Sequence, residues 1–98
     1  MKVKTERFNI FDHLKTDRDI RGFLDASVEL ARDDDSPKHL IHALAIAAKA
    51  QGMLKTAKGA RLTRAGLYRA LSGKTDPRVS TIAKVANSLG YRLVPVAI

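Results

Sequence analysis

The sequence contains no cysteine and no tryptophan, and aromatic residues make up only 5% of it. Without cysteine, disulfides and thiolate metal sites are excluded, and a cytoplasmic setting is the simplest expectation. No apolar run approaches the length of a membrane span, and the first residues do not have the pattern of a signal peptide. Because aromatic side chains are few, Leu, Ile, Val and Ala have to form the core. A monomer is then expected to be marginally stable and to gain from dimerisation.

Acidic residues are almost missing from the second part of the chain. Residues 37–98 hold eleven Lys/Arg and one acid, Asp76, whereas residues 1–36 hold seven Lys/Arg and nine Asp/Glu. A segment with a net charge near −2 is therefore joined to one near +10. Solvated helix faces on any basic protein would explain the cations. Their clustering within residues 51–90, however, favours a polyanionic partner.

Hydrophobic spacing predicts helices along most of the chain. The first is expected to begin near Thr16, which forms a capping-box pattern with Asp19. It is expected to stop at three consecutive acids that begin at Asp33, because negative charge opposes the dipole at a helix C-terminus. The second is predicted to begin at Ser36-Pro37 and to end near Gln51, before Gly52 in a left-handed conformation.

Residues 51–90 have the spacing of a helix-turn-helix motif. A short helix is predicted over residues 53–58, a turn over residues 59–62, and a second helix over residues 64–72 with Thr63 as its cap. Ala57 and Leu67 occupy the positions where such a motif needs a small and an apolar inward-facing residue. A second helix that exposes Arg64, Tyr68 and Arg69 can enter a DNA major groove.

The C-terminal part predicts one more helix and a strand. Ser80 is the expected cap of the last helix, and Gly90 is expected to end it. The apolar segment Tyr91–Ile98 is predicted to be a short β-strand, which Pro95 restricts to an edge or a bulge. Pairing of this strand with its copy in a second subunit would make a homodimer. The chain is interpreted as a single domain over residues 1–98, divided into an N-terminal extension with the first helix (1–35), a helix-turn-helix core (36–90) and the strand (91–98).

With these motifs the chain resembles the addiction-module antidote proteins, which are small helix-turn-helix antitoxins of the lambda-repressor-like superfamily. The resemblance is densest at LTRAGLYRALSG (residues 62–73) and DPRVSTIAKVANSLGYRL (residues 76–93), and it extends over about residues 8–94. It implies an all-α fold of five helices with the C-terminal strand. It also implies a bacterial repressor that binds operator DNA in the nucleoid, represses its own operon and neutralises a RelE/ParE-like toxin.

Two positions depart from the family pattern. Arg61 stands at the turn where glycine is usual, so either Arg61 is strained or the turn is reshaped around Gly59. Thr56 stands where a buried leucine is usual, and Leu54 or Met53 is expected to fill that space.

The superfamily pattern assigns the side chains that face DNA. It places Arg64, Ala65, Tyr68 and Arg69 on the groove-facing side of the second motif helix, with Ser72 at its far end. Either arginine can bond guanine, Ala65 can touch a thymine methyl, and the cap at Thr63 favours a phosphate. Simple solvation of the arginines, or packing of Tyr68 against the last helix, is the alternative. Five flanking cations suit contacts to the DNA backbone: Lys55, Lys58, Arg61, Lys74 and Arg78.

Acidic side chains in the first segment are a tentative toxin-binding surface, since a toxin that cleaves RNA must itself be cationic. Improved solubility would explain the same acids equally well. The residues are Asp12, Asp17, Asp19, Asp25, Glu29 and Asp33.

The sequence gives little support to catalysis or metal binding. His39 and His42 are three residues apart on one helix, which is a weak metal signal without further ligands. No base stands beside a serine or lysine nucleophile. We therefore expect no enzyme activity, no cofactor and no metal. Two other hypotheses stay open: a stand-alone, phage-type repressor without a protein partner, and a protein-interaction module that has lost DNA binding.

Overall fold

The structure, a computed structural model, describes residues 8–98 and contains five α-helices within them. The predicted all-α class is confirmed, while residues 1–7 of the predicted N-terminal extension lie outside the described residues. A 3-10 turn at Ile10–His13 comes before the first helix. The helices are α1 (Asp17–Leu30), α2 (Lys38–Gln51), α3 (Met53–Ala60), α4 (Arg64–Ala70) and α5 (Val79–Ser88).

One apolar core joins the helices. Helix α1 packs mainly against α2, and α3 packs mainly against α5. Five alanines of α2 and α3 are almost fully buried, so the backbones approach each other closely without aromatic side chains. None of the helices in residues 8–98 is long and apolar enough to cross a membrane. The buried cluster is Leu14, Ile20, Leu24, Ala43, Leu44, Ala47, Ala48, Ala57, Ala60, Leu67, Leu71, Ile82, Val85 and Leu89.

The predicted capping box at the start of α1 is confirmed. The Thr16 side chain accepts a hydrogen bond from the Asp19 amide at 3.1 Å. In return, the Asp19 carboxylate accepts from the amides of Lys15 at 3.0 Å and Thr16 at 3.1 Å. These backbone hydrogen bonds lower the pKa of Asp19, because they stabilise its charged form. Helix α1 ends at Leu30, before the three acids.

Helix α2 follows the predicted bounds closely. The Ser36 hydroxyl accepts from the Lys38 amide at 3.2 Å, and Pro37 precedes the first helical residue. Gly52 ends the helix with a φ of 113° and a ψ of 121°. The predicted positive φ is therefore present, but the residue is not in the left-handed helical conformation.

Helix α5 begins two residues earlier than a cap at Ser80 would require, so the cap expected at Ser80 is wrong. The amides of Thr81 and Ile82 donate to the Arg78 carbonyl, at 3.0 and 3.1 Å, and this closes the first turn before Ser80 can cap it. The predicted end at Gly90 is confirmed, since this residue has a φ of 90°. The Tyr91 amide donates back to the carbonyl of Ala86 at 2.9 Å, as in a Schellman motif.

The C-terminal strand is a prediction that the structure does not bear out. A strand needs a neighbouring strand for its backbone hydrogen bonds, and the described residues offer only helices. The segment 92–98 accordingly makes no backbone hydrogen bond within the described chain. Tyr91 instead fixes the start of the segment to α1, by donating its hydroxyl to the carbonyl of Arg21 at 3.2 Å and to the carboxylate of Asp25. Pairing of this segment with a second copy of the chain stays a prediction.

Candidate nucleic-acid interface

Helices α3 and α4 are joined by a connection of three residues whose first residue is left-handed. Arg61 has a φ of 59° and a ψ of 43°, and its amide donates to the Lys58 carbonyl at 3.1 Å. The Leu62 amide donates to the Ala57 carbonyl at 2.9 Å, which completes a Schellman arrangement. Arg61 thus takes the conformation that glycine usually supplies, at a cost of about 1–2 kcal/mol.

Gly59 does not reshape this turn, because it belongs to α3. A Cβ atom at Gly59 would lie 3.1 Å from the Cβ of Ser88 on α5. The absence of a side chain at Gly59 therefore lets α3 pack closely against α5, which leaves the turn to Arg61. Helix α3 ends at Ala60, two residues beyond its predicted end at Lys58.

Thr56 is fully buried and its hydroxyl is satisfied. Its Oγ1 accepts from the Gln51 Nε2 at 2.8 Å and lies 2.9 Å from the Gly52 carbonyl oxygen, to which it can donate. Met53 packs against the core, whereas Leu54 is 53% exposed. Of the two residues expected to fill the space of a leucine, only Met53 contacts the core.

Helix α4 has one buried face and one exposed face. Thr63 caps it as predicted, accepting from the Gly66 amide at 2.9 Å. Leu67 and Ala70 are turned into the core, being 0% and 6% exposed. The helix ends at Ala70, two residues before the predicted Ser72, whose hydroxyl donates to the Arg69 carbonyl at 2.9 Å.

The five side chains that the sequence placed on the outer side of this helix region are all exposed. Tyr68 is 46% exposed and borders a groove of ≈ 310 Å³ together with residues of α2, including His42 and Lys49. Its ring therefore lies on the side of α2, and its exposed part remains open to a ligand. The exposed residues are Arg64, Ala65, Tyr68, Arg69 and Ser72.

In the part of the chain that the structure describes, the cations around this helix pair form no ion pair. Within residues 8–98 the ion pairs are Arg32–Glu29 at 3.1 Å and His39–Asp34 at 2.5 Å. The loop after α4 is tied to the end of that helix by the Lys74 amide, which donates to Ser72 Oγ at 3.1 Å. This bond brings Lys74 next to the end of α4. The predicted backbone-contacting cations are all exposed: Lys55, Lys58, Arg61, Lys74 and Arg78.

The six predicted toxin-binding acids do not form one uniform surface. Asp19 is used in the capping box, Asp25 accepts the Tyr91 hydroxyl, and Glu29 pairs with a neighbouring arginine. The other three acids are exposed and make no side-chain hydrogen bond within the described residues; they are Asp12, Asp17 and Asp33.

Sequence reasoning missed the contact between the C-terminal segment and α1. The Arg21 guanidinium lies 4.9 Å from the centre of the Tyr91 ring, and the Tyr91 hydroxyl meets the Asp25 carboxylate. Burial and this carboxylate raise the pKa of Tyr91 to about 12. A lone aromatic residue directly after the glycine that ends α5 was the available signal. Among the described residues, no group of three or more His, Asp or Glu side chains is arranged to hold a metal ion.

Within residues 8–98 the protein is a small all-helical fold that presents exposed cations around α3 and α4. Comparison with known families shows which class of protein this is. The model of the family described as "Probable addiction module antidote protein" matches residues 4–97. This match covers nearly the whole chain, and the protein belongs to that family.

A curated relative has the same extent. The chain is 30% identical over 92 residues to an uncharacterized protein of Haemophilus influenzae (strain ATCC 51907 / DSM 11121 / KW20 / Rd), and the match covers 94% of this chain and 91% of the relative. No solved structure matches the chain. Family membership thus establishes an antidote, whose partner is in general a toxin.

Proposed function

We propose that this antidote is a sequence-specific DNA-binding repressor that controls its own operon and neutralises a RelE/ParE-like toxin. In this proposal α3 and α4 form a helix-turn-helix of the lambda-repressor-like kind, and α4 is the recognition helix. The protein binds operator DNA as a homodimer, because paired recognition helices read paired half-sites.

The exposed face of α4 carries this proposal. It presents Arg64, Ala65, Tyr68 and Arg69 outward, while Leu67 fixes the opposite face in the core. A helix mounted in this way holds its outer side chains in a defined orientation, as recognition of base edges requires. The arginines are assigned to guanine and Ala65 to a thymine methyl.

The unpaired cations supply the second part of the interface. Because Lys55, Lys58, Arg61, Lys74 and Arg78 form no ion pair within residues 8–98, their charge is available for phosphate. Such contacts position a protein on the duplex without reading its sequence. Ser72 and the cap at Thr63 complete the proposed interface at the two ends of α4.

Two observations argue against loss of DNA binding. That hypothesis depended on Arg61 and Thr56, but Arg61 takes the left-handed turn conformation and Thr56 is buried with its hydroxyl bonded. Neither residue displaces α4. Membership of an antidote family likewise favours a repressor with a toxin partner over a stand-alone repressor.

Fluorescence anisotropy tests the proposed repressor function. The full chain is titrated against the duplex directly upstream of its own gene and against a shuffled duplex, each at two salt concentrations. We expect a preference for the upstream duplex of at least about 10³-fold that persists at the higher salt. Equal binding that disappears with salt on both duplexes would overturn sequence-specific repression.

A further inference from the structure

A groove of ≈ 600 Å³ lies between the end of α1, the start of α2 and the C-terminal segment. We call it the α1–α2 groove. Five apolar residues line it, together with Ser36, three carboxylates and one guanidinium. The apolar residues are Val28, Ala31, Pro37, Leu40 and Val96, and the charged ones are Glu29, Arg32, Asp34 and Asp35.

The apolar lining of this groove is unusually open to water. Val28 belongs to the buried stripe predicted for α1 but is 44% exposed, and Val96 is 79% exposed. Leu24, one helical turn before Val28, is only 1% exposed. The hydrophobic stripe of α1 therefore continues past the core into a surface that the described chain leaves uncovered, which is typical of a protein-binding site.

The charge of the groove selects its occupant. Arg32 is paired with Glu29 at 3.1 Å and Asp34 contacts His39 at 2.5 Å, so Asp35 leaves the rim net negative, with Asp33 beside it. DNA and anionic lipid surfaces are repelled by this rim. A symmetric contact with a second copy would place the same acids against each other, which disfavours a dimer through this groove.

We propose that the α1–α2 groove binds a cationic segment of the toxin that carries two or three apolar anchor residues. This inference rests on the antidote role and specifies its surface. Of the six acids singled out in the sequence, only Glu29 lines the groove. The toxin surface thus lies around Val28, Leu40 and Val96, and not along the N-terminal turn of α1.

The position of the groove leaves the basic surface on α3 and α4 available. None of the groove-lining residues belongs to α3, α4 or the loop that follows α4. The protein can therefore bind the toxin through the α1–α2 groove while the basic surface on α3 and α4 binds DNA.

A matched pair of valine variants tests this proposal. Val96→Lys removes an apolar anchor and adds a charge that repels a cationic partner, whereas Val79→Lys makes the same change at an equally exposed valine outside the groove, at 74% against 79%. The probe is the purified basic product of the gene adjacent to this one, and its Kd is measured by calorimetry with the full chain.

We expect Val96→Lys to weaken toxin binding at least about tenfold, and Val79→Lys to change it less than about twofold. Val96→Asp should bind more tightly than Val96→Lys, because it loses the apolar anchor without the repulsion. Val96 is a largely exposed residue of an irregular segment, so we expect its variants to stay folded. Circular dichroism of each variant checks this.

Two negative results have different meanings. If the unaltered chain binds the toxin and all three variants bind it equally well, the groove proposal is overturned and the antidote role stands. If the unaltered chain does not bind the product at all, both the toxin partner and the groove proposal are overturned.

Discussion

The acids of the first segment and the cations of α3, α4 and the following loop are used in different ways. Asp19, Asp25 and Glu29 are each engaged within the chain, in a helix cap, a tyrosine contact and an ion pair. The Lys and Arg residues after Pro37 form no ion pair within the described residues. Charge that is satisfied internally supports the fold, whereas charge left unpaired is available to a partner.

The exposed apolar surfaces on α4 and at the α1–α2 groove also differ in kind. On α4 the large exposed apolar side chain is that of Tyr68, which also carries a hydroxyl. At the α1–α2 groove the exposed side chains are aliphatic and bordered by acids. The first surface suits a polyanion and the second a cationic protein.

The largest expected effect concerns the core that the two regions share. Leu24→Ala in α1 and Leu67→Ala in α4 remove side chains that are 1% and 0% exposed. Each is expected to lower the free energy of unfolding by about 2–5 kcal/mol. Because both residues belong to one buried cluster, both variants should unfold in a single transition in thermal melts followed by circular dichroism. Two separate transitions would mean that the regions fold independently.

The next effect concerns the capping box that Thr16 forms with Asp19 at the start of α1. Thr16→Ala removes this cap and is expected to lower the free energy of unfolding by about 0.5–2 kcal/mol, as measured by urea denaturation. Operator affinity should not change, because the substitution leaves the unpaired cations untouched. If the folded Thr16→Ala variant lost DNA binding, α1 would belong to the DNA interface, and the proposed separation between the first segment and the basic surface would be wrong.

The same cap gives a pH dependence. The amides of Lys15 and Thr16 hold the pKa of Asp19 in the folded chain below its ordinary value of 3.8. Its contribution to stability is therefore complete above that value, and it is lost as the pH falls through the folded pKa. Urea midpoints between pH 6 and pH 3 should fall less for Asp19→Asn than for the unaltered chain. Parallel midpoints would contradict the assignment.

The capping box and the inward residues of α5 were predictable because they depend on neighbours close in the sequence. Ile82, Val85 and Leu89 are buried as their spacing requires. The true start of α5 was not predictable, because Arg78, two residues before Ser80, closes the first turn with its backbone carbonyl alone. Local patterns do not reveal which of two nearby positions begins a helix.

The α1–α2 groove was not predictable from the sequence. It brings together Val28, Leu40 and Val96, which are far apart along the chain. The apolar C-terminal segment was interpreted as a strand because its composition favours one, but no described segment is placed to pair with it. On α4, by contrast, one helical period determines which side chains are exposed, so the candidate DNA face follows from residues 64–72.

A smaller effect is expected at the turn between α3 and α4. Arg61→Gly relieves a left-handed arginine and should raise the free energy of unfolding by roughly 0.5–1 kcal/mol. It also removes one proposed phosphate contact, so the salt slope of operator binding should shrink by about one unit. Denaturation and salt titration measure the two changes. An unchanged salt slope would remove Arg61 from the interface.

The smallest effect is expected at the contact between the C-terminal segment and α1. Tyr91→Phe keeps the ring near Arg21 but removes the hydroxyl that donates to the Arg21 carbonyl and the Asp25 carboxylate. The substitution should lower the free energy of unfolding by at most about 1 kcal/mol. Because the pKa of Tyr91 is raised from 10.0 to about 12, the contact is complete below pH 10 and is lost as the pH rises through 12. Tyrosine absorbance during an alkaline titration, followed in a Tyr68→Phe background, should show Tyr91 with a pKa of about 12. A pKa of Tyr91 at its ordinary value of 10.0 would contradict the contact.

The most direct test of the unpaired basic surface compares two single variants on two duplexes by fluorescence anisotropy. Arg64→Ala should cost about 1–3 kcal/mol on the upstream duplex and little on the shuffled one, because Arg64 is assigned to base edges. Lys74→Ala should weaken both duplexes alike and reduce the salt slope by about one unit, because Lys74 is assigned to phosphate. Identical behaviour of the two variants on both duplexes would contradict the proposed placement of α4 in the major groove.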